Sequence, residues 1–234
     1  NLYQSWITGV LYKNTEHGLF TIKSQLRADA VLKTKDYTDY KLPDGSIGQI
    51  FEDMNGQLLI LGKPGAGKTI LLLQLAETLL GQAQSDDKQP MPLVFNLSSW
   101  ATKQGDLGSW LADEMCRNYG IPKKNGKNRL ERNQIVLLLD GLDEVAESAR
   151  NACVDAINAY REGHKNLKIA VCSRIADYEA LTKKLDVNGA ILLDDLSDAQ
   201  IADYLAGDEH IGTRELIEHE PIAKGMAQTP FLLS

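Results

Sequence analysis

Gly62-Lys63-Pro64-Gly65-Ala66-Gly67-Lys68-Thr69 has the spacing G-x-x-x-x-G-K-[ST], which builds a backbone cradle for a polyphosphate. The flanks suit that reading. Leu58-Leu59-Ile60-Leu61 enters the octet as a buried strand, and residues 70–80 leave it as a helix that is apolar nearly all round, with Gln74, Glu77 and Thr78 as its wet edge. Three glycines let the chain curl so that successive N–H groups face one anion, and the helix that follows adds the positive end of its dipole. Lys68 then reaches the β- and γ-phosphates, and the Thr69 hydroxyl is a ligand for Mg²⁺. A Gly-rich turn before an ordinary helix is the competing reading; it accounts for the glycines but not for the whole octet and both flanks.

Working outward, short apolar runs at residues 58–61, 93–97, 135–140, 168–173 and 190–193 alternate with helical or loop segments. That alternation means a parallel sheet with helices on both faces. The predicted fold is therefore α/β, a three-layer α/β/α phosphate-loop NTPase with a mainly parallel five-stranded sheet and a small helical lobe after it. Within it, residues 149–160 carry Ala149, Ala152, Cys153, Ala156, Ile157 and Tyr160 on one helical face. Ser197-Asp198-Ala199-Gln200 reads as a capping box that starts a new helix, with Leu196 and Ile201 as its hydrophobic staple. The expected organisation is a helical and linker segment over 1–50, with apolar spacing at Trp6, Val10 and Leu11 and a turn at Leu42-Pro43-Asp44-Gly45. The nucleotide-binding domain follows over 51–196 and the start of a helical lobe over 197–234.

The second half of a nucleotide site is a set of carboxylates. Gln134-Ile135-Val136-Leu137-Leu138-Leu139 is a buried strand that ends in Asp140-Gly141-Leu142-Asp143-Glu144, at the sheet edge where open α/β sheets bind ligands. This is a Walker B element. Asp140 is placed for Mg²⁺ and its waters, and Asp143 and Glu144 for positioning a water and accepting its proton. The strand Lys168-Ile169-Ala170-Val171-Cys172-Ser173 delivers Arg174 to the same edge, where a guanidinium can sense a γ-phosphate or can pair with a neighbouring carboxylate.

Composition narrows the class. With 234 residues and 43% hydrophobic content the chain can bury a substantial core without staples. Cys116, Cys153 and Cys172 form no C-x-x-C pair and read as buried thiols in a reducing compartment. The apolar runs are too short to span a bilayer and no signal peptide opens the chain, so the reading is cytoplasmic with no membrane partner. A net charge of −7 argues against direct nucleic-acid binding, and the basic strip Lys123-Lys124-Asn125-Gly126-Lys127-Asn128-Arg129 reads as a solvated loop. His17, His164, His210 and His219 lack zinc-site spacing. No N-K-x-D segment favours guanine; Lys183-Lys184-Leu185-Asp186 lacks the Asn and sits in a helical pattern. The absent initial Met and the stop inside Phe231-Leu232-Leu233 read as a segment of a longer protein.

Taken together, the phosphate loop, the D-G-L-D-E strand end, the Cys172-Ser173-Arg174 triplet and Thr229-Pro230-Phe231-Leu232 resemble the NACHT domain of the STAND class of signal-transduction ATPases. The resemblance runs from about Pro43 onward, and Val94-Phe95-Asn96-Leu97-Ser98-Ser99-Trp100 is similar to its bacterial branch. It implies ATP or ADP with Mg²⁺ as ligands, bound around Gly62, Pro64, Gly65, Ala66, Gly67, Lys68, Thr69 and Ile70, with Thr69 and Asp140 on the metal. Asp143, Glu144 and Arg174 would serve catalysis and sensing, and Pro230 and Ile47 would wall the base. The same resemblance implies a sensor strand lying between the phosphate-loop strand and the Walker B strand, self-association in the ATP state, and a place in bacterial antiviral defence. Three uses of ATP stay open: hydrolysis that resets a switch, binding alone that selects an assembling form, and transfer to a small acceptor.

Overall fold

The computed structural model describes residues 23–32, 46–102, 105–207 and 210–230. The apolar spacing at Trp6, Val10 and Leu11, the turn at 42–45, and Phe231 and Leu232 lie outside them.

A run that is apolar on successive residues must be covered on both faces, and this decides the architecture. Leu58, Leu59, Ile60 and Leu61 in strand β2 (Gln57–Gly62) are all 0% exposed. Because strand side chains alternate, Leu59 and Leu61 join Leu137, Leu139, Ile169 and Val171 in one core layer. Leu58 and Ile60 join Val136, Leu138, Ala170 and Cys172 in the other. The first layer is closed by α3 (Leu107–Tyr119) and α5 (Glu147–Gly163), the second by α1 (Ile47–Asp53) and α2 (Lys68–Ser85). This is the three-layer α/β/α arrangement.

Among the described residues the sheet has six strands, not five. Besides β2 they are β1 (Ser24–Leu26), β3 (Met91–Asn96), β4 (Ile135–Asp140), β5 (Ile169–Arg174) and β6 (Gly189–Leu193), in the spatial order β1-β6-β2-β5-β4-β3. All neighbours are parallel except β1, which runs antiparallel to β6 with Ser24 opposite Leu193 and Leu26 opposite Ile191. The extra strand is three residues of mixed polarity, held by pairing rather than by an apolar pattern. Gln25 Nε2 also donates to Asp194 Oδ1 at 2.7 Å, and the Asp194 amide donates to the Lys23 carbonyl at 2.9 Å.

Other local expectations are revised. Residues 123–129 are not a loop but most of α4 (Lys123–Glu131): Gly126 and Leu130 are buried, and Gly126 packs on α3 beside Met115, where a Cβ would sit in ordinary contact 3.5 Å from Sδ. On α5, Ala152 is exposed and Val154 takes its place in the core. Cys116 is exposed, whereas Cys153 and Cys172 are buried. Residues 183–186 are irregular rather than helical, and Leu185 forms a bridge to Val31. After β5 comes the short α6 (Ile175–Glu179).

Past β6 the chain forms α7 (Asp198–Tyr204), α8 (Ile211–His219) and α9 (Pro221–Ala227). The Ser197–Gln200 capping box is present in both directions. Leu196, Ile201, Leu205 and Ala227 form a small core of their own, and the Leu196 amide donates to the Gln228 carbonyl at 2.9 Å. Among the described residues no helix is long and apolar enough to cross a membrane.

Candidate nucleotide site

In a parallel sheet, residues in register reach the C-terminal edge at the same height. Gly62 is in register with Arg174, and Asn96 with Asp140. Since β5 lies between β2 and β4, the phosphate-loop strand, the arginine and the acidic strand end are consecutive along one edge.

The loop adopts the curl that its glycines permit. Gly65 (φ +75°) and Gly67 (φ +87°) are left-handed, and Gly67 is the residue from which α2 springs. The half-buried Lys68 folds back over the loop, its Nζ donating to the carbonyls of Gly62 (3.2 Å) and Lys63 (2.9 Å). Burial pushes the Lys68 ammonium below the usual lysine range, with Asp143 acting in the opposite sense. A partly desolvated cation beside the N-terminus of α2 suits a polyanion. Pro64 is exposed, Ala66 is buried, and Ile70 is half-buried on the first turn of α2. Lys63 turns the other way and pairs with Asp195 at 2.6 Å.

Two oxygen donors meet beside the loop: Thr69 Oγ1 donates to Asp140 Oδ2 at 2.8 Å. Burial pushes the Asp140 carboxyl above its ordinary range; the Thr69 bond opposes this, and Glu144 and Asp143 add to it. Among the described residues no cluster of three or more His, Cys, Asp or Glu side chains could hold a metal by itself. A hydroxyl and one carboxylate, all oxygen, fit Mg²⁺, which takes one or two protein ligands and completes its octahedron with phosphate oxygens and water. If they serve it, Asp140→Ala should raise the Mg²⁺ concentration needed for nucleotide to stabilise the fold by about tenfold or more. Thermal melts across a Mg²⁺ series check this; an unchanged titration moves the ligand elsewhere.

The turn after β4 is a 3-10 segment, Leu142–Glu144, made possible by left-handed Gly141 (φ +75°). A Cβ at Gly141 would come within 2.8 Å of Glu144 Cδ, so its glycine is what lets Glu144 fold back. The exposed Glu144 accepts from Asn96 Nδ2 through Oε2 at 2.9 Å. Asp143 uses both oxygens on one residue: Oδ1 accepts from the Arg174 amide at 3.0 Å, and Oδ2 pairs with Arg174 Nε at 2.9 Å. The pairing that competes with phosphate sensing at Arg174 is therefore present, while the outer edge of the guanidinium is not used by it.

Lys68, Thr69, Asp140, Asp143, Glu144 and Arg174 are thus brought to one edge. Ile47, the first residue of α1, is buried in the core at 6% exposure, and Pro230 is buried just after α9. Two residues that hold the site carry no signal in the sequence that marks them for it. Asn96 ends an apolar strand, a position that marks a sheet edge but no partner. Arg150 lies off the apolar face of α5 and reads there as a wet residue, although it is largely covered.

A glycine loop between a central parallel strand and a helix, with an acidic strand end one strand away, defines a P-loop NTPase, a nucleotide-binding module. The NACHT domain matches residues 57–205, well over half of the chain, and the chain belongs to that family. No curated protein matches it in sequence. Among solved structures it is similar to the Aeropyrum pernix ORC1 protein in complex with DNA, at 14% identity and a TM-score of 0.49, covering 73% of this chain and 50% of that chain. It is also similar to Drosophila ORC bound to DNA (15%, TM-score 0.49, 100% of this chain and 66% of that chain). A third similarity is to Cdc6p from Pyrobaculum aerophilum (15%, TM-score 0.45, 89% and 64%). The chain therefore spans between half and two thirds of the length of these structures.

Proposed function

We propose that this chain binds ATP with Mg²⁺ and hydrolyses it slowly, and that its nucleotide state governs assembly of a larger signalling protein. The observation that carries the reading is the meeting, at one sheet edge, of Lys68, the Thr69–Asp140 oxygen pair, Arg174, and a Glu144 carboxylate held by Asn96. The backbone of residues 62–69, with Lys68, holds the phosphates; Ile70 lies beside them, and Ile47 and Pro230 wall the base. Thr69 and Asp140 are the metal ligands, and Mg²⁺ when bound neutralises charge on the phosphates. Glu144 takes the proton of the attacking water. Asp143 sets the height and direction of Arg174, whose outer nitrogens would meet phosphate oxygens that ATP has and ADP lacks. A contact made with one nucleotide and not the other is what shifts a conformational equilibrium.

Copies of the same protein, meeting through neighbouring domains, are the partners of the ATP form, and the family suggests a cytoplasmic setting in bacterial antiviral defence. In this reading residues 51–196, joined by β1 and the start of α1, form the nucleotide-binding body, and 197–234 begin the helical lobe. Direct contact with nucleic acid is not part of the reading. A second reading, an ATP- or ADP-held scaffold without turnover, is favoured by one observation: Asp143 is fully committed to Arg174, an arrangement suited to sensing rather than to chemistry.

Phosphate release from Mg·ATP at several protein concentrations, with Lys68→Ala as the blank, separates them. Sustained release is expected, with a rate per chain that rises with concentration. One phosphate or none per chain would favour the scaffold.

A further inference from the structure

Arg150 stands on the first turn of α5 with its side chain 16% exposed, and its guanidinium donates in three directions. Nε donates to the Val145 carbonyl at 2.8 Å, Nη2 to the Asp143 carbonyl at 2.6 Å, and Nη1 to Asp177 Oδ1 at 2.7 Å. The two carbonyls flank Glu144, and one of them belongs to Asp143 within the 3-10 turn. The carboxylate belongs to α6, whose N-cap residue is Arg174. The next residue of α5 repeats the span: Asn151 Oδ1 accepts from Thr182 Oγ1 and from the Lys183 amide, both at 3.1 Å, in the segment that follows α6.

We propose that Arg150, with Asp177 as its anchor, is a positioning residue for the proposed hydrolytic site: it fixes the acidic turn against the element that begins with Arg174. The inference rests on the reading of that site given above. A guanidinium is planar and presents its donors at fixed angles, so three bonds from one group hold two carbonyls and a carboxylate at set separations. The Asp143 carbonyl is one of them, and the Asp143 side chain is in turn what grips the Arg174 amide and Nε. Displacing that carbonyl displaces the grip. Lysine keeps the charge and can still pair with Asp177, but as a single ammonium on a flexible stem it cannot reproduce the fork. Displacements of about 1 Å at supporting residues are enough to cost on the order of a hundredfold in rate.

The test uses the chain with Arg150→Lys and, separately, Asp177→Asn, which is nearly isosteric and leaves the two carbonyl bonds available. Three quantities are read: amide hydrogen exchange, affinity for a non-hydrolysable fluorescent ATP analogue, and phosphate release. In Arg150→Lys the Arg174 amide should exchange about tenfold faster or more, while residues 137–139 of β4 keep their protection. Affinity should stay within about threefold and turnover should fall about 10- to 100-fold. Asp177→Asn should move the same readouts the same way by less.

Unchanged exchange at Arg174 in both variants would overturn the proposal. So would loss of β4 protection together with affinity, since Arg150 would then merely hold the fold together. The exchange arm needs no nucleotide. A wild-type chain that bound no ATP analogue would sink the proposed function while the Arg174 result still judged the clamp.

Discussion

Lys68→Ala is expected to cost nucleotide affinity about a hundredfold or more, in the range where removing one partner of a desolvated charge pair costs about 2–5 kcal/mol. The magnitude follows from position. Lys68 is half-buried with its ammonium held over the loop by the Gly62 and Lys63 carbonyls, so its charge acts with little screening by solvent. Lys63 is no substitute, being exposed and drawn to Asp195. Saturating nucleotide at a hundred times its dissociation constant stabilises a fold by about 2.7 kcal/mol. Thermal melts with Mg·ATP should show that gain in the wild type and lose nearly all of it in the variant. Full stabilisation of Lys68→Ala would refute the site.

Glu144→Gln should leave binding near normal and slow hydrolysis by roughly 10²- to 10⁴-fold, the usual worth of a positioned general base. Gln keeps the length of the side chain and an oxygen that can still accept from Asn96 Nδ2, so the turn should not rearrange. What is lost is the capacity to take a proton. Asp143 cannot stand in for it, because both of its oxygens are used by Arg174. Single-turnover phosphate release, set beside the analogue affinity, checks the prediction. Equal rates in variant and wild type would remove Glu144 from the chemistry and leave nucleotide binding as the whole of the signal.

How legible the molecule was depends on what held each part in place. The phosphate loop and the central strands could be read because each strand is buried on both faces and so is written as an unbroken apolar run between polar stops. Their ends shifted by one or two residues, as at β3, which runs Met91–Asn96 against an expected 93–97. β1 has no apolar signature of its own, because Ser24-Gln25-Leu26 is an edge strand whose order comes from pairing with β6. α4 looked like a loop for a similar reason: it buries only Gly126 and Leu130 among basic and amide residues, and packing against α3 supplies what periodicity does not. At the site, residue types and strand ends pointed to Lys68, Thr69, Asp140, Asp143, Glu144 and Arg174. The Asn96–Glu144 and Arg150–Asp177 contacts join residues 48 and 27 positions apart, and no local pattern encodes such a meeting.

The three residues that leave β6 are tied to three different places. Asp194 is bonded to β1 and to Lys23, Asp195 to Lys63 in the phosphate loop, and the Leu196 amide to Gln228 beyond α9. Within ten ångströms or so of extended chain, at about 3.3 Å per residue, the upstream strand, the loop and the trailing helices share one mechanical joint. The path from sheet to trailing helices is thus anchored residue by residue, firmly by backbone bonds at 194 and 196 and only by an exposed ion pair, worth little alone, where it touches the phosphate loop.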